Sequence, residues 1–541
     1  MADGIFSRFT EYSVAEFFKK NRQMLGFSGK VRSLTTIVHE YVSNSLDATG
    51  EAGIFPEIEV WVSEGGGDRY RVRVRDNGPG IPKTHIGKAL GMMLAGTKFN
   101  RYMQQRGQQG IGATGCTMYA LITTGKPVRV VSSYDGKRIE CEVGMDFKNN
   151  KPLINMISEG PAEEGGTGLE VEGLFGEVKY DKSAYGVYEY LRRTAIANPH
   201  AAIVFNSPEG ERFVFPKSVE ELPPRPVEVK PHPLGISAHD LVEKARGAPY
   251  QRISSFLQEE FTRVTLNKTK ELQEAVPDVD LGKKPSEMSW EDAEKLVAGF
   301  RKIKWIAPAT DSVVPIGMRQ IASSLSSVIS PEFMQVTERS PKIYRGGIPF
   351  VVEVGLAYNG KGANGEILRF ANRAPLLFDA GGCAITQTIR SVDWKRYGIK
   401  NLEEEPLSIF VHFASVHVPY TSAGKQSISD EEEVVDEIKN AVMEAARGME
   451  RHISGKRREK EMAGKRTAIL RYVEQLSRDL SELGGKGAES GKVKEKLLKL
   501  VEEKYSAGKT EEAGADPKDG KEEKDTENGK PETGNGDGAE G

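Results

Sequence analysis

The chain has 541 residues, 38% hydrophobic and 28% charged, the balance of a soluble globular protein with room for about three or four domains. Its net charge of −3 leaves no global basic field, so nucleic-acid contacts must come from local patches. Cys116, Cys141 and Cys383 are too few for a disulfide framework and predict a reducing, cytoplasmic setting; no apolar run reaches the about 20 residues that cross a bilayer, so no membrane role is expected.

The start, MADGIFSRFTEYS, lacks a basic-then-apolar leader pattern, and no secretion signal is expected. Residues 1–12 read as a polar-aromatic arm. Ser13-Val-Ala-Glu16 is a capping box that opens a helix, and a second helix is predicted from about residue 31 to 48. Two strands follow, IEVWVS (58–63) and RYRVRVRDNG (69–78), joined by the turn Gly65-Gly66-Gly67. Further strands are expected at 128–134, 139–145, 168–175 and 201–207, with a helix over 185–200. This α+β module is placed at 13–228. The proline-rich ELPPRPVEVKPHPLG (221–235) reads as a linker, and a helical module at 229–305 is interrupted at Gly247-Ala-Pro249 and Pro277. A third module, 306–483, has strands at 348–358, 365–373 and 408–418. Ser429-Asp-Glu-Glu432 then caps a long helical run with predicted interruptions at Gly448, Gly455 and Gly464. A helical segment is expected at 484–507. The tail, 508–541, is acidic, nearly devoid of large apolar residues, and expected to be disordered.

Within RGQQGIGATG (106–115), GIGATG matches G-x-G-x-x-G. A dinucleotide turn follows a buried strand, but KFNRYMQQ (98–105) has no strand signal, and the acidic residue about 20 positions on, Asp135, sits in a turn. Two upstream stretches bear on the glycines. In HEYVSNSLDATG (39–50), Glu40, Asn44 and Asp47 share one helix face. Glu40 could orient and deprotonate a water, and Asn44 could offer its oxygen to Mg²⁺, a hard cation. His39 reads as a packed or capping residue. In RVRDNGPGI (73–81), Asp76 ends a strand before glycines that let backbone approach a ligand, and could accept a hydrogen bond from an exocyclic amine. Each stretch alone also reads as a solvated helix face or an ordinary turn.

Together, Glu40-x-x-x-Asn44-x-x-Asp47-Ala48, Asp76-x-Gly78-x-Gly80 and Gly107-x-x-Gly110-x-Gly112 resemble the signature set of the GHKL ATPases. The resemblance implies a Bergerat-type ATPase sandwich that binds ATP with Mg²⁺. Glu40 would be the general base, Asn44 the metal ligand, and Asp76 and Thr167 (in Gly166-Thr167-Gly168) would lie near the adenine. Gly107, Gln108, Gln109, Gly110, Ile111, Gly112 and Ala113 would form a lid whose N–H groups wrap the phosphates, with Thr97 and Lys98 on the phosphate side.

VPYTSAGKQSIS (418–429) places Lys425 in a loop of the third module, and in related ATPases such a lysine enters the ATP site. The order of ATPase, small helical domain of helix-two-turns-helix type and α/β transducer with a long C-terminal helix resembles the B subunits of archaeal DNA topoisomerase VI, from residue 1 to about 500. The one D-x-D motif, Asp278-Val-Asp280, reads as a loop, so DNA cleavage would reside in a partner A subunit of an A2B2 heterotetramer. The resemblance further implies an ATP-dependent homodimer, an N-terminal arm with Tyr12 that crosses to the second copy, and double-stranded DNA held at basic stretches such as RGMERHISGKRREK (447–460). A mismatch-repair-like clamp and a chaperone-like clamp are the alternatives, both without strand passage.

Overall fold

The computed structural model describes residues 26–93, 95–96, 102–107, 111–163, 166–360, 364–422, 424–485 and 489–506. Tyr12, the Ser13–Glu16 capping box and the acidic tail lie outside the described residues. The chain forms two compact units, Met1–His452 and Ile453–Gly541.

The first unit begins with α1 (Lys30–Ala52), in which Leu34, Ile37, Val38, Tyr41, Val42 and Leu46 form a buried stripe at helical spacing. Gly53, left-handed at φ 71°, ends it: its N–H returns to the Gly50 carbonyl and the Ile54 N–H to the Thr49 carbonyl. Then follow β1 (Glu57–Glu64), β2 (Arg69–Asp76), α2 (Lys83–Gly91), α3 (Gly112–Thr124), β3 (Val128–Tyr134), β4 (Lys137–Asp146), β5 (Lys151–Pro161), β6 (Gly168–Gly176), α4 (Val187–Ala197), β7 (Ala202–Asn206) and β8 (Arg212–Phe215). The eight strands make one sheet in the order β5-β4-β3-β6-β2-β1-β7-β8, antiparallel except where β1 meets β7. Alternation decides its faces: Ile58, Val60, Val62, Val72 and Val74 point into the core with α1 and α3, while Arg71, Arg73 and Arg75 lie on the opposite face. Asp76 continues the inward set, so the strand's last residue delivers a carboxylate to the helical side.

Four elements of this sheet layer, α2, α3, β5 and the four-residue β8, were not expected from sequence. Every residue of α3 from Thr114 to Ala120 is buried, so the helix has no polar stripe to betray it. α2 is only nine residues long. β5 is an edge strand exposed on both faces, without the alternation that marks a half-buried strand.

The helical layer, α5 (Ala238–Arg246), α6 (Ile253–Glu260), α7 (Leu266–Ala275) and α8 (Trp290–Phe300), encloses Leu241, Phe256, Leu257, Leu272, Leu296 and Phe300. α8 starts with a reciprocal capping box between Ser289 and Asp292. Asp278 and Asp280 lie in the loop before it, as expected.

The second sheet is built from β9 (Phe333–Glu338), β10 (Lys342–Tyr344), β11 (Ile348–Tyr358), β12 (Glu366–Ala371), β13 (Ala374–Pro375) and β14 (Leu407–Ser415), with α9 (Met318–Val328) and α10 (Ala384–Ser391) beside them in chain order. Its order is β10-β11-β14-β12-β13, with β9 also on β11. β14 is buried along its whole length and β11 along all but Tyr358, which is why both read as largely apolar runs, and the charged Glu353 of β11 is paired with His412 of β14 at 2.7 Å. Ile196 and Ala197 of α4 share a core with Ile321, Leu325, Phe370 and Phe410 of this layer.

α11 (Glu432–Leu483) is one unbroken helix of 52 residues. Gly448, Gly455 and Gly464 therefore do not interrupt it: a glycine costs a helix only about 1 kcal/mol, less than a proline. The expected cap at Ser429 is also corrected, because the helix begins at Glu432 and the Ser429 hydroxyl donates to the Pro419 carbonyl at 2.9 Å. The second unit comprises the distal part of α11 and α12 (Ser490–Ser506), joined by Arg466–Glu502 and Lys494–Glu474 ion pairs.

Candidate functional site

α1, the end of β2, the start of α3 and the loop before α11 converge on a cavity of about 450 Å³, within the range of small-molecule sites. Glu40, Asn44, Asp76, Gly107, Ile111, Gly112, Ala113 and Lys425 all line it. Thr97, Lys98, Gln108, Gln109 and Gly110 lie outside the described residues. Thr167 lines a neighbouring depression that shares Asp76 and Leu169 with the cavity.

Glu40 and Asn44 sit one turn apart and are half-buried. Asp47, two turns from Glu40, is not part of the cavity lining. Its Oδ1 accepts from Arg106 Nη1 at 2.8 Å, and both side chains are buried. Asp76 accepts from the Ser45 hydroxyl at 2.5 Å and from the N–H groups of Gly78 at 2.9 Å and Leu169 at 3.2 Å. Burial pushes its carboxyl pKa up, and these three donors pull the other way. Gly80 must be glycine: its φ is 74°, and a Cβ would lie 2.2 Å from the Ser133 carbonyl oxygen. Gly112 is constrained from the other side, since a Cβ there would stand 1.8 Å from Glu40 Oε2. α3 thus starts against the carboxylate, and its first residues, Gly112, Ala113 and Thr114, line the cavity.

Lys425 enters from the second-sheet layer in a left-handed backbone conformation, φ 53°. Its Nζ donates to the Arg106 carbonyl at 3.1 Å. The next residue, Gln426, accepts from the Phe378 N–H at 3.2 Å, which ties the loop to its own layer. His39 is a packed histidine: its ring meets Tyr190 edge-on at 5.3 Å, and burial lowers its pKa, keeping it neutral. The Cys116 thiol is fully buried and pushed well up by that burial, which makes it a poor nucleophile. Ser45 and Arg106 are the contacts that sequence reasoning missed. Ser45 lies next to Asn44 with no pattern of its own, and Arg106 precedes the glycines as one arginine among many.

Among the described residues, no cluster of three His, Cys, Asp or Glu side chains could hold a metal unaided. A single carboxamide oxygen, Asn44, suits a Mg²⁺ ion that takes most of its ligands from phosphates and water.

Residues 29–148 match the family described as histidine kinase-, DNA gyrase B- and HSP90-like ATPases, a span that contains Glu40, Asn44, Asp76 and Gly112. Residues 308–465, which contain Lys425, match the transducer of the topoisomerase VI B subunit. The B subunit of type 2 DNA topoisomerase 6 from Pyrococcus horikoshii is 44% identical, over 94% of this chain and 98% of the relative. The chain belongs to the family of type 2 DNA topoisomerase 6 B subunits. The corresponding protein of Methanothermobacter thermautotrophicus is 46% identical over 86% of this chain and 90% of the relative. As a member, the chain is an ATP-dependent subunit with a GHKL ATPase region that binds nucleotide and a transducer. No helix among the described residues is long and apolar enough to cross a membrane.

Proposed function

We propose that this chain is an ATP-operated gate in a type IIB topoisomerase. Two copies close on one another when each binds ATP and Mg²⁺, and a duplex passes through a double-strand break made by the A subunits of an A2B2 assembly, relaxing and decatenating DNA. The observation that carries the reading is the convergence of Glu40 and Lys425, from separate layers, on one cavity.

Glu40 orients and deprotonates the attacking water. Asp76, whose Oδ2 accepts one bond from Ser45, keeps acceptor capacity for the adenine amine. Thr167, Thr97 and Lys98 complete the adenine and phosphate ends, and residues 107–113 wrap the phosphates through backbone N–H groups. Lys425 donates to the terminal phosphate. Asn44 would hold Mg²⁺, which supplies charge neutralisation on the phosphate oxygens. The work of the chain is positioning and charge stabilisation, as in phosphoryl transfer generally. Nucleotide that binds the closed dimer better than the open chain drives closure by linkage.

Sedimentation velocity of the full chain, with and without Mg²⁺ and a non-hydrolysable ATP analogue, tests the gate. A nucleotide-driven shift from monomer to dimer is expected, and Glu40→Ala should show it with ATP itself because hydrolysis stops. Tight nucleotide binding without any shift would remove the gate, and normal turnover in Glu40→Ala would remove the base.

A further inference from the structure

The six residues 102–107 lead into the glycine loop and are held from two layers at once. The Gln104 carboxamide exchanges two hydrogen bonds with the Val314 backbone, at 2.8 and 2.7 Å. The Gln105 carbonyl accepts from Asn372 Nδ2 at 3.2 Å. Arg106 then turns toward the ATPase layer: Nη1 donates to Asp47 at 2.8 Å and Nη2 to Asn198 Oδ1 at 2.5 Å. Asn198 is itself fixed, donating through Nδ2 to the carbonyls of Thr194 at 2.8 Å and Arg373 at 3.0 Å. The Arg106 side chain is only 11% exposed. The planar guanidinium is forked between two anchored acceptors while Gln104 and Gln105 hold the chain just before it, so the Arg106 backbone is restrained from both sides. The carbonyl of that residue is the acceptor for Lys425 Nζ.

We propose that Arg106 is the positioning residue for Lys425. The inference rests on the reading that Lys425 meets the terminal phosphate. A lysine side chain loses rotamer entropy when it is ordered. The Arg106 carbonyl supplies a fixed acceptor that orders it beforehand. An ammonium carries three N–H donors, so the bond to the carbonyl is compatible with donation to a phosphate oxygen. Asp47, the third polar residue of the α1 motif, then acts at one remove. It holds the guanidinium that holds the carbonyl that aims the lysine. Nucleotide sensing by the transducer thus runs through the root of the glycine loop.

Arg106→Lys keeps the charge beside Asp47 but cannot fork to Asn198. ATP hydrolysis by the full chain should fall about tenfold in kcat, while the affinity for a non-hydrolysable analogue stays within about threefold. In a Lys425→Ala background, the same Arg106→Lys change should move kcat less than about twofold, because its effect passes through the lysine. Asp47→Asn, which keeps an acceptor for Arg106, gives a second variant to run through the same cycle if Arg106→Lys does not fold; its loss should be smaller and equally silent without Lys425. Equal losses in both backgrounds, or parallel loss of turnover and affinity, would overturn the positioning role. Wild-type turnover in Lys425→Ala alone would instead overturn the phosphate role of the lysine, a failure distinct from slow Lys425→Ala with unimpaired Arg106→Lys.

Discussion

A missing side chain is the sharpest constraint at the scale of single residues. Gly112 leaves room for the Glu40 carboxylate, and alanine there would put a methyl carbon 1.8 Å from Oε2. The obstacle is the far end of a flexible side chain, so Gly112→Ala should fold with Glu40 turned to another rotamer. Misplacing a base by about 1 Å costs on the order of 100-fold in rate. Steady-state hydrolysis should show that loss, and turnover at the wild-type rate would mean that Glu40 is not aimed from this position. A second residue-scale expectation concerns acid. Burial holds the His200 pKa down, to about 3 from 6.5, aided by the nearby charges of Arg373 and Arg106. The unfolded chain therefore binds a proton that the folded chain refuses between those values, and stability falls as pH drops from 6.5 toward 3. The full effect is roughly 4–5 kcal/mol. His200→Gln should flatten the fall of the thermal midpoint between neutral pH and about pH 4, and an unchanged slope would refute it. Glu40, Asn44 and Asp76 were legible because spacing on a helix and alternation along a strand set which way they point. Arg106 and Ser45 were not, because what singles them out is a partner distant in sequence: Asp47 lies 59 positions from Arg106, and Asp76 lies 31 from Ser45.

Among the elements, visibility followed burial geometry. β1 and β2 alternate, β11 and β14 are long, largely apolar runs, and all four could be read. α3 could not, since a helix buried all round lacks the 3.6-residue signal, and its GATG start looks like loop. The glycines of α11 mislead in the opposite sense. At Gly448 a Cβ would lie 2.6 Å from the Gln335 side-chain oxygen, so glycine there follows from the close approach of β9. At Gly455 and Gly464 nothing lies within 4 Å. Gly455→Ala and Gly464→Ala should each stabilise the helix by about 0.5–1 kcal/mol. Gly448→Ala should gain less or lose. Far-UV circular dichroism through a thermal ramp distinguishes them, and a rise for Gly448→Ala as large as for the other two would show that β9 does not constrain the site.

At the scale of the whole first unit, the order of the modules was readable while the seam between the two sheets was not. That seam joins α4 to β12 through a charge cluster: Glu366 Oε1 accepts from Arg192 Nη2 at 2.5 Å and from Arg193 Nη2 at 3.3 Å, and Glu189 pairs with both arginines. Partners up to 174 positions apart leave no local pattern. The four side chains are at most 16% exposed, so removing one charge leaves the others poorly solvated. Breaking such a buried pair costs about 3–5 kcal/mol. Glu366→Ala should therefore lower the thermal midpoint and, because the second-sheet layer carries Lys425 to the cavity, lower turnover with it. That joint loss differs from the split expected of Arg106→Lys, in which turnover falls while nucleotide affinity holds. If Glu366→Ala kept full turnover despite a lowered midpoint, the seam would hold the fold together without setting the position of the lysine, and residues 102–107 would be the connection that matters between nucleotide and transducer.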